Sequence, residues 1–358
     1  MRPIGPFRTR TLRSLPALLP LLLSAALLAA CDGGTGPGDP GEGELGVVLN
    51  SVEISLTVFP TDDPTSTTTV GLAPEGSPAS LAVRGNLAVV PLGLAPALAV
   101  VDLAEGSVLR TVPLPEGSGA TGAAFVNDSV VLVAHPGLGT VTPVNVRSGT
   151  AGAEIDVGGY PQAVTRAGAL MAVVNAELGP DFQPAGPGTV TLLDAGTLDV
   201  VATVTLSGEN PGSAAVAPDG RLWVVSSGRF GAADGSVSVV DVTLREEVAH
   251  HAGFGEFPFA SAFGPDGRLY VGSFSYGVAV FDPATGTFVR SPDDAVAPGG
   301  VPSVSGVAFD ADGRLYTTRP ECADPGVADR LGPDFAVEVS IPVGVCPIAL
   351  AFASAPGG

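Results

Sequence analysis

Pro218-Asp219-Gly220-Arg221-Leu222-Trp223 recurs as Pro265-Asp266-Gly267-Arg268-Leu269-Tyr270 and as Ala311-Asp312-Gly313-Arg314-Leu315-Tyr316. In each copy an Asp-Gly pair separates two apolar runs, the arrangement that turns one strand back on another. Two further landmarks keep step with it. Apolar runs close on Asp102, Asn145, Asp194, Asp241, Asp282 and Asp329, at intervals of 43, 49, 47, 41 and 47 residues. A proline opens a strand at Pro78, Pro161, Pro211, Pro258, Pro302 and Pro347, with Thr121 in the missing place, at intervals of 43, 40, 50, 47, 44 and 45. Three landmarks in constant phase at about 45 residues leave room for four short strands per unit, the period of a propeller blade.

Each unit reads as strand a after the proline, the Asp-Gly turn, strand b, a loop of variable length, strand c ending on the acid, and strand d. Six complete units run from Pro78 to Cys346. The remainder is a lone strand a at Pro347-Ile348-Ala349-Leu350-Ala351-Phe352-Ala353 and three strand-like runs without a strand a in residues 46–74. Joined, they make a seventh blade and leave the ring no open sheet edge. The expectation is an all-β, seven-bladed propeller of four-stranded blades over residues 46–358, its last blade closed by the two ends of the chain. The recurrent acids serve as turn residues in this reading.

Composition agrees. The 49 glycines and 34 prolines disfavour helix, and with 45% hydrophobic and only 15% charged residues the chain is not of the disordered type. Lysine is absent, which removes Schiff-base enzymes, P-loop NTPases and protein kinases. His135, His250 and His251 are the only histidines, and neither HExxH nor GxSxG occurs. The net charge is −20, and residues 31–358 carry 12 arginines against 36 acids. Such a body repels nucleic-acid phosphates, so no nucleic-acid partner is expected.

Residues 1–13 are basic and residues 14–30 uncharged, with a Leu/Ala run to Ala30. This is the layout of a secretory leader. Its end, Leu28-Ala29-Ala30-Cys31, resembles the lipobox of bacterial lipoproteins. The resemblance implies a signal peptide over 1–30, lipidation of Cys31, and an extracytoplasmic protein anchored to the membrane through that lipid, on the periplasmic side or the cell surface. Residues 31–45 read as a flexible Gly/Pro tether. A GxGxxG match at Gly41–Gly46 has no strand before it or helix after it, and carries no dinucleotide site.

The junctions Gly159-Tyr160-Pro161, Glu209-Asn210-Pro211 and Gly344-Val345-Cys346-Pro347, the Asp-Gly-Arg-Leu turns and the Val-Val-Asp strand ends resemble the YVTN/YncE-type seven-bladed propellers, related in style to NHL and gluconolactonase-like propellers. LWVV, LYVG and LYTT stand where that family has its four-residue signature.

By fold analogy, b–c loops and d–a junctions share the face that propellers use for binding. Departures from the repeat on that face give the candidates Tyr160, Glu177, Phe182, Asn210, Arg229, Phe230, Phe257 and Arg319. Cys322 and Cys346 fall on the same face of one blade and are the cysteines left after lipidation, so a disulfide between them is expected in an oxidising compartment. The expected function is a non-enzymatic scaffold that holds a protein, peptide or small ligand, without a cofactor. The alternative is a metal-dependent enzyme of the gluconolactonase or lyase style. A divalent metal belongs only to that alternative, for which His135, Asn175, Glu209 and Glu256 are the candidates.

Overall fold

The computed structural model describes residues 43–354, so the leader, Cys31 and nearly all of the tether lie outside the described residues. These residues form seven antiparallel sheets arranged as a propeller. Blade four is typical: strand a is Pro211–Val216, b is Leu222–Ser226, c is Ser236–Asp241 and d is Glu246–Ala252. In blade two the outer strand is split into Thr150–Ala151 and Ile155–Asp156, both paired with Thr140–Asn145.

Blade seven is assembled from both ends of the chain. Its strand a, Pro347–Ser354, pairs antiparallel with strand b, Glu44–Asn50, from Glu44 opposite Ser354 to Asn50 opposite Pro347. The blade therefore begins at Glu44 rather than at residue 46. The Glu44 carboxylate accepts the Ala311 N–H at 3.1 and 3.2 Å in the a–b turn of blade six. Both paired ends thus lie on the face that carries the a–b and c–d turns.

The core lies between blades. Strands b and c are packed on both sides, which is why they read as nearly unbroken apolar runs instead of alternating ones. Along one strand, Val47 and Leu49 pack with Ala88, Val90, Ala99 and Val101 of blade one. Val48 between them joins Tyr316, Ala328 and Ile341 of blade six. Each valine, leucine or isoleucine among them contributes roughly 1.5–3 kcal/mol when fully buried. Strand d has one neighbour strand and a wet side, and Glu246–Ala252 alternates between exposed and half-buried accordingly.

The turns explain the recurrent acids. In blade four the Ala217 N–H reaches Arg221 O at 2.8 Å and the Gly220 N–H reaches Ala217 O at 2.9 Å. Gly220 has φ of 86°, so the loop is a three-residue turn closed by a left-handed glycine. Asp219 braces it by accepting the Arg221 N–H at 3.0 Å and its Nε at 2.8 Å. In the c–d turns, the side-chain oxygens of Asp102, Asn145, Asp194 and Asp241 accept the amides two and three residues on, at 2.9–3.1, 2.9–3.0, 2.8–3.0 and 2.9 Å. Asp282 accepts one, from Ala284, at 2.8 Å.

Blade six departs from the sequence reading twice. Asp310, and not Asp312, accepts the turn amide of Arg314, at 2.8 Å. Asp329 caps no turn: strand c of this blade, Pro325–Leu331, continues past it, and Asp334 holds the c–d turn through the Ala336 N–H at 3.1 Å. The aspartate that matched the pattern is instead buried in mid-strand and paired with an arginine.

Candidate functional site

Seven strands a surround a central channel of about 250 Å³ that has no charged lining residue among the described residues. Its hydroxyls are largely spent on the scaffold. Ser80 donates to Thr121 O at 2.5 Å, Thr121 to Gln162 O at 3.1 Å, Thr165 to Ala214 O at 3.5 Å, Ser213 to Phe259 O, and Ser305 to Pro347 O at 2.6 Å. Each bond runs from one blade to the carbonyl of the next, so the belt ties neighbouring blades together around the channel.

Above the channel, at the b–c loop face, the space widens into a funnel of about 520 Å³. Tyr160, Phe257, Phe259, Phe274, Leu178 and Ile348 supply most of its apolar wall. Gln162 and Asn210 are its amides. The Gln162 Nε2 donates to Asn210 Oδ1 at 3.3 Å, and Asn210 Nδ2 donates to Gly228 O at 3.3 Å.

The backbone at the funnel's rim is strained in a repeated way. Tyr160, Asn210 and Phe257 each precede the proline that opens a strand a, and have φ of 55°, 50° and 51°. L-residues other than glycine rarely adopt this region, and such strain persists where the surroundings enforce it. Here the carbonyls of Tyr160 and Asn210 accept the amides of Ala176 and Ser227, each at 3.0 Å. The twist aims all three side chains at the funnel. Cys346 occupies the same station in the next junction of this kind, with φ of 61°, and is joined to Cys322 by a disulfide.

Aromatic pairs extend the wall outward. Phe182 meets Tyr160 edge-on at 6.1 Å, Phe230 meets Phe257 edge-on at 5.0 Å, and Phe274 lies 6.0 Å from Phe259. Six of the seven b–c loops expose a large apolar side chain: Val52, Leu94, Leu138, Phe182, Phe230 and Phe274. Leu94, Phe230 and Phe182 are 84, 72 and 64% exposed. These exposed apolar side chains are concentrated on one face rather than scattered.

The sequence candidates divide accordingly. Tyr160, Asn210 and Phe257 meet in the funnel, with Phe182 and Phe230 packed behind them. Glu177 is occupied with scaffold contacts, accepting from Thr189 Oγ1 at 2.9 Å and from the Gly159 N–H at 3.2 Å. Arg229 pairs with Asp234 at 2.8 Å. Arg319 is 19% exposed and grips the fully buried Asp329 at 2.6 and 3.2 Å, while Ser340 donates to the same carboxylate at 2.6 Å. Its guanidinium is therefore paired with a buried carboxylate.

His135, Asn175, Glu209 and Glu256 are not gathered into a site. Among the described residues, no three His, Cys, Asp or Glu side chains come together as metal ligands. Glu209 is exposed and Glu256 half-buried. Asn175 ends strand b of blade three, fully buried, and donates to Thr189 and Thr191 at 2.9 and 3.0 Å. Asn50 does the same in blade seven with Ser55 and Thr57, at 3.0 and 2.9 Å. His135 holds the equivalent station in blade two, opposite Thr140, and lines neither the channel nor the funnel. Among the described residues, neither ring nitrogen meets a hydrogen-bond partner. Burial lowers its pKa to about 4, against the opposing pull of Glu154. His251 stacks on Trp223 at 5.5 Å, while His250 faces Ser238 and Glu247, so the adjacent pair points apart.

Gln162, Phe259, Phe274, Leu178 and Ile348 were not among the sequence candidates. A signal for three of them was present: Gln162, Phe259 and Ile348 each follow the junction proline, as do Ala79 and Gly212, which line the funnel with them.

No family model matches the chain, and no curated protein matches its sequence. Among solved structures it is similar to Kuenenia stuttgartiensis hydrazine synthase, with a TM-score of 0.62 and 15% identity over 78% of this chain and 90% of that one. At that identity the likeness is one of fold, and the fold is the seven-bladed β-propeller.

Proposed function

We propose that the protein is a non-enzymatic binding module, held outside the cytoplasmic membrane by a lipid on Cys31, that takes its ligand in the funnel. One observation carries the reading: an uncharged, aromatic cavity of about 520 Å³ opens at the centre of the loop face, and strained residues point into it. Cavities of this size and lining suit small ligands or the anchoring side chain of a partner. The basic leader and Leu28-Ala29-Ala30-Cys31 support the anchor, and the junction and turn motifs support kinship with the YVTN/YncE-like propellers.

Gly212 provides the test. A Cβ there meets the Phe259 ring at 3.3 Å and Gln162 Oε1 at 4.0 Å, so Gly212→Leu fills the funnel floor. The neutral dye Nile red is expected to bind the protein saturably and to lose that binding in Gly212→Leu, with the urea midpoint of unfolding little changed. Equal binding by both proteins overturns the funnel as the site. For the anchor, an alkynyl fatty acid fed to a bacterial host is expected to label the wild type and not Cys31→Ser.

A further inference from the structure

We infer that the funnel is selective for an organic cation, an ammonium group carried on an apolar body. The inference rests on the funnel being the binding site and adds the chemistry of what enters it.

Four observations converge. First, the wall carries four aromatic rings, Tyr160, Phe257, Phe259 and Phe274. Ring faces attract ammonium groups, and the attraction grows as water is excluded. Second, the amide pair offers acceptor capacity. With the Gln162 Nε2 donating to Asn210 Oδ1 and the Asn210 Nδ2 donating to Gly228 O, Gln162 Oε1 accepts no hydrogen bond among the described residues, leaving the negative end of a carbonyl dipole for a cationic ligand. Third, the charges beside the lining residues are acidic. Glu177 adjoins Leu178, Glu209 adjoins Asn210 and Glu256 adjoins Phe257, while the nearby Arg229 is neutralised by Asp234. The rim therefore attracts cations and repels anions. Fourth, among the described residues no charged group lines the cavity itself.

The last point separates the candidate classes. A carboxylate or phosphate entering the funnel would be desolvated with no counter-charge. A hard metal ion needs several oxygen ligands in contact, and none of the lining residues is a carboxylate. An organic ammonium brings its own apolar surface for the rings and needs only a negative field around the mouth.

The test compares three soluble probes of similar size by saturation-transfer NMR and titration against the purified protein. They are benzyltrimethylammonium, neutral benzyl alcohol and anionic phenylacetate. The expected order is cation, then neutral, then anion, with the cation favoured about fivefold over the alcohol. Added salt and the double variant Glu209→Gln/Glu256→Gln are expected to shrink that preference, leaving alcohol binding unchanged. Equal binding of cation and alcohol, or tighter binding of phenylacetate, overturns the inference while leaving an apolar funnel site intact. Loss of all three probes together with Nile red would instead remove the funnel site itself. A trimethyllysine peptide separates the two sources of the cation. Tighter binding than benzyltrimethylammonium assigns it to a partner protein's side chain, and weaker binding assigns it to a free small molecule; either supports the chemistry.

Discussion

The two faces of this ring are made by the same repeats and obey different rules. On the turn face, acids brace their own loops, arginines answer the acids beside them, and glycine sits at most left-handed positions. Arg221 with Asp219, Arg268 with Asp266 and Arg314 with Asp310 are local pairs of this kind. Glycine holds most left-handed positions on the loop face as well, but among the described residues seven non-glycine residues have positive φ there against three on the turn face, and the exposed aromatics gather there. Local consistency marks the scaffold, and its breach marks the place where side-chain direction outweighs backbone comfort.

The largest test of this contrast concerns a residue that belongs to the loop face by position and to the scaffold by contact. Arg319→Ala leaves Asp329 buried without its counter-charge, which costs about 3–5 kcal/mol. Urea unfolding is expected to register that loss while the surviving folded protein still binds Nile red. Parallel loss of binding at unchanged stability would return Arg319 to the binding surface.

Acid probes the loop face from beneath. The unfolded chain protonates His135 near pH 6.5 and the folded protein only near pH 4, so protons favour the unfolded state. The stability from neutral His135 is whole above pH 6.5 and is lost as the pH falls toward 4, by roughly 3 kcal/mol at most. His251, also lowered by burial, adds loss of the same sign. His135→Asn places at this station the residue that blades three and seven already use. Its melting temperature is expected to vary less between pH 7 and 4 than the wild type's. An unchanged pH profile would show that His135 is not the group responsible.

Tyr160→Asn separates strain from function. Asparagine tolerates the left-handed region and occurs naturally at the equivalent Asn210, so relief of strain offsets the lost edge contact with Phe182. Stability is expected to change by less than about 1 kcal/mol. Binding of benzyltrimethylammonium is expected to weaken about fivefold. A large loss of stability with binding intact would make Tyr160 a loop anchor. The smallest effect belongs to the turn face. Arg245 has φ of 61° where blades one, two and five place Gly106, Gly149 and Gly286. Arg245→Gly is expected to raise stability by about 0.5 kcal/mol in urea unfolding and to leave binding untouched.

Much of the architecture was legible because propeller turns are local. An Asp-Gly pair or an acid at a strand end acts on amides two or three residues away, so spacing alone reveals it. Asp329 shows the limit of that method: its partner Arg319 lies on the neighbouring strand, and no pattern along the chain distinguishes a buried ion pair from a turn cap. The site was half legible for a related reason. Tyr160, Asn210 and Phe257 stood out by breaking the repeat, whereas Phe259 and Ile348 lie on a strand whose two sides both read as apolar. Only the ring's geometry decides which side faces the funnel.

Because Glu44 and Ser354 are strand partners, the two ends of the propeller already meet. A short linker between those ends, with a new break in an exposed turn such as Asp219–Gly220, would give a permuted chain with the same ring. Anything attached at either end of the propeller hangs from the turn face. A support or a reporter placed there is joined at the opposite end of the ring from the funnel mouth.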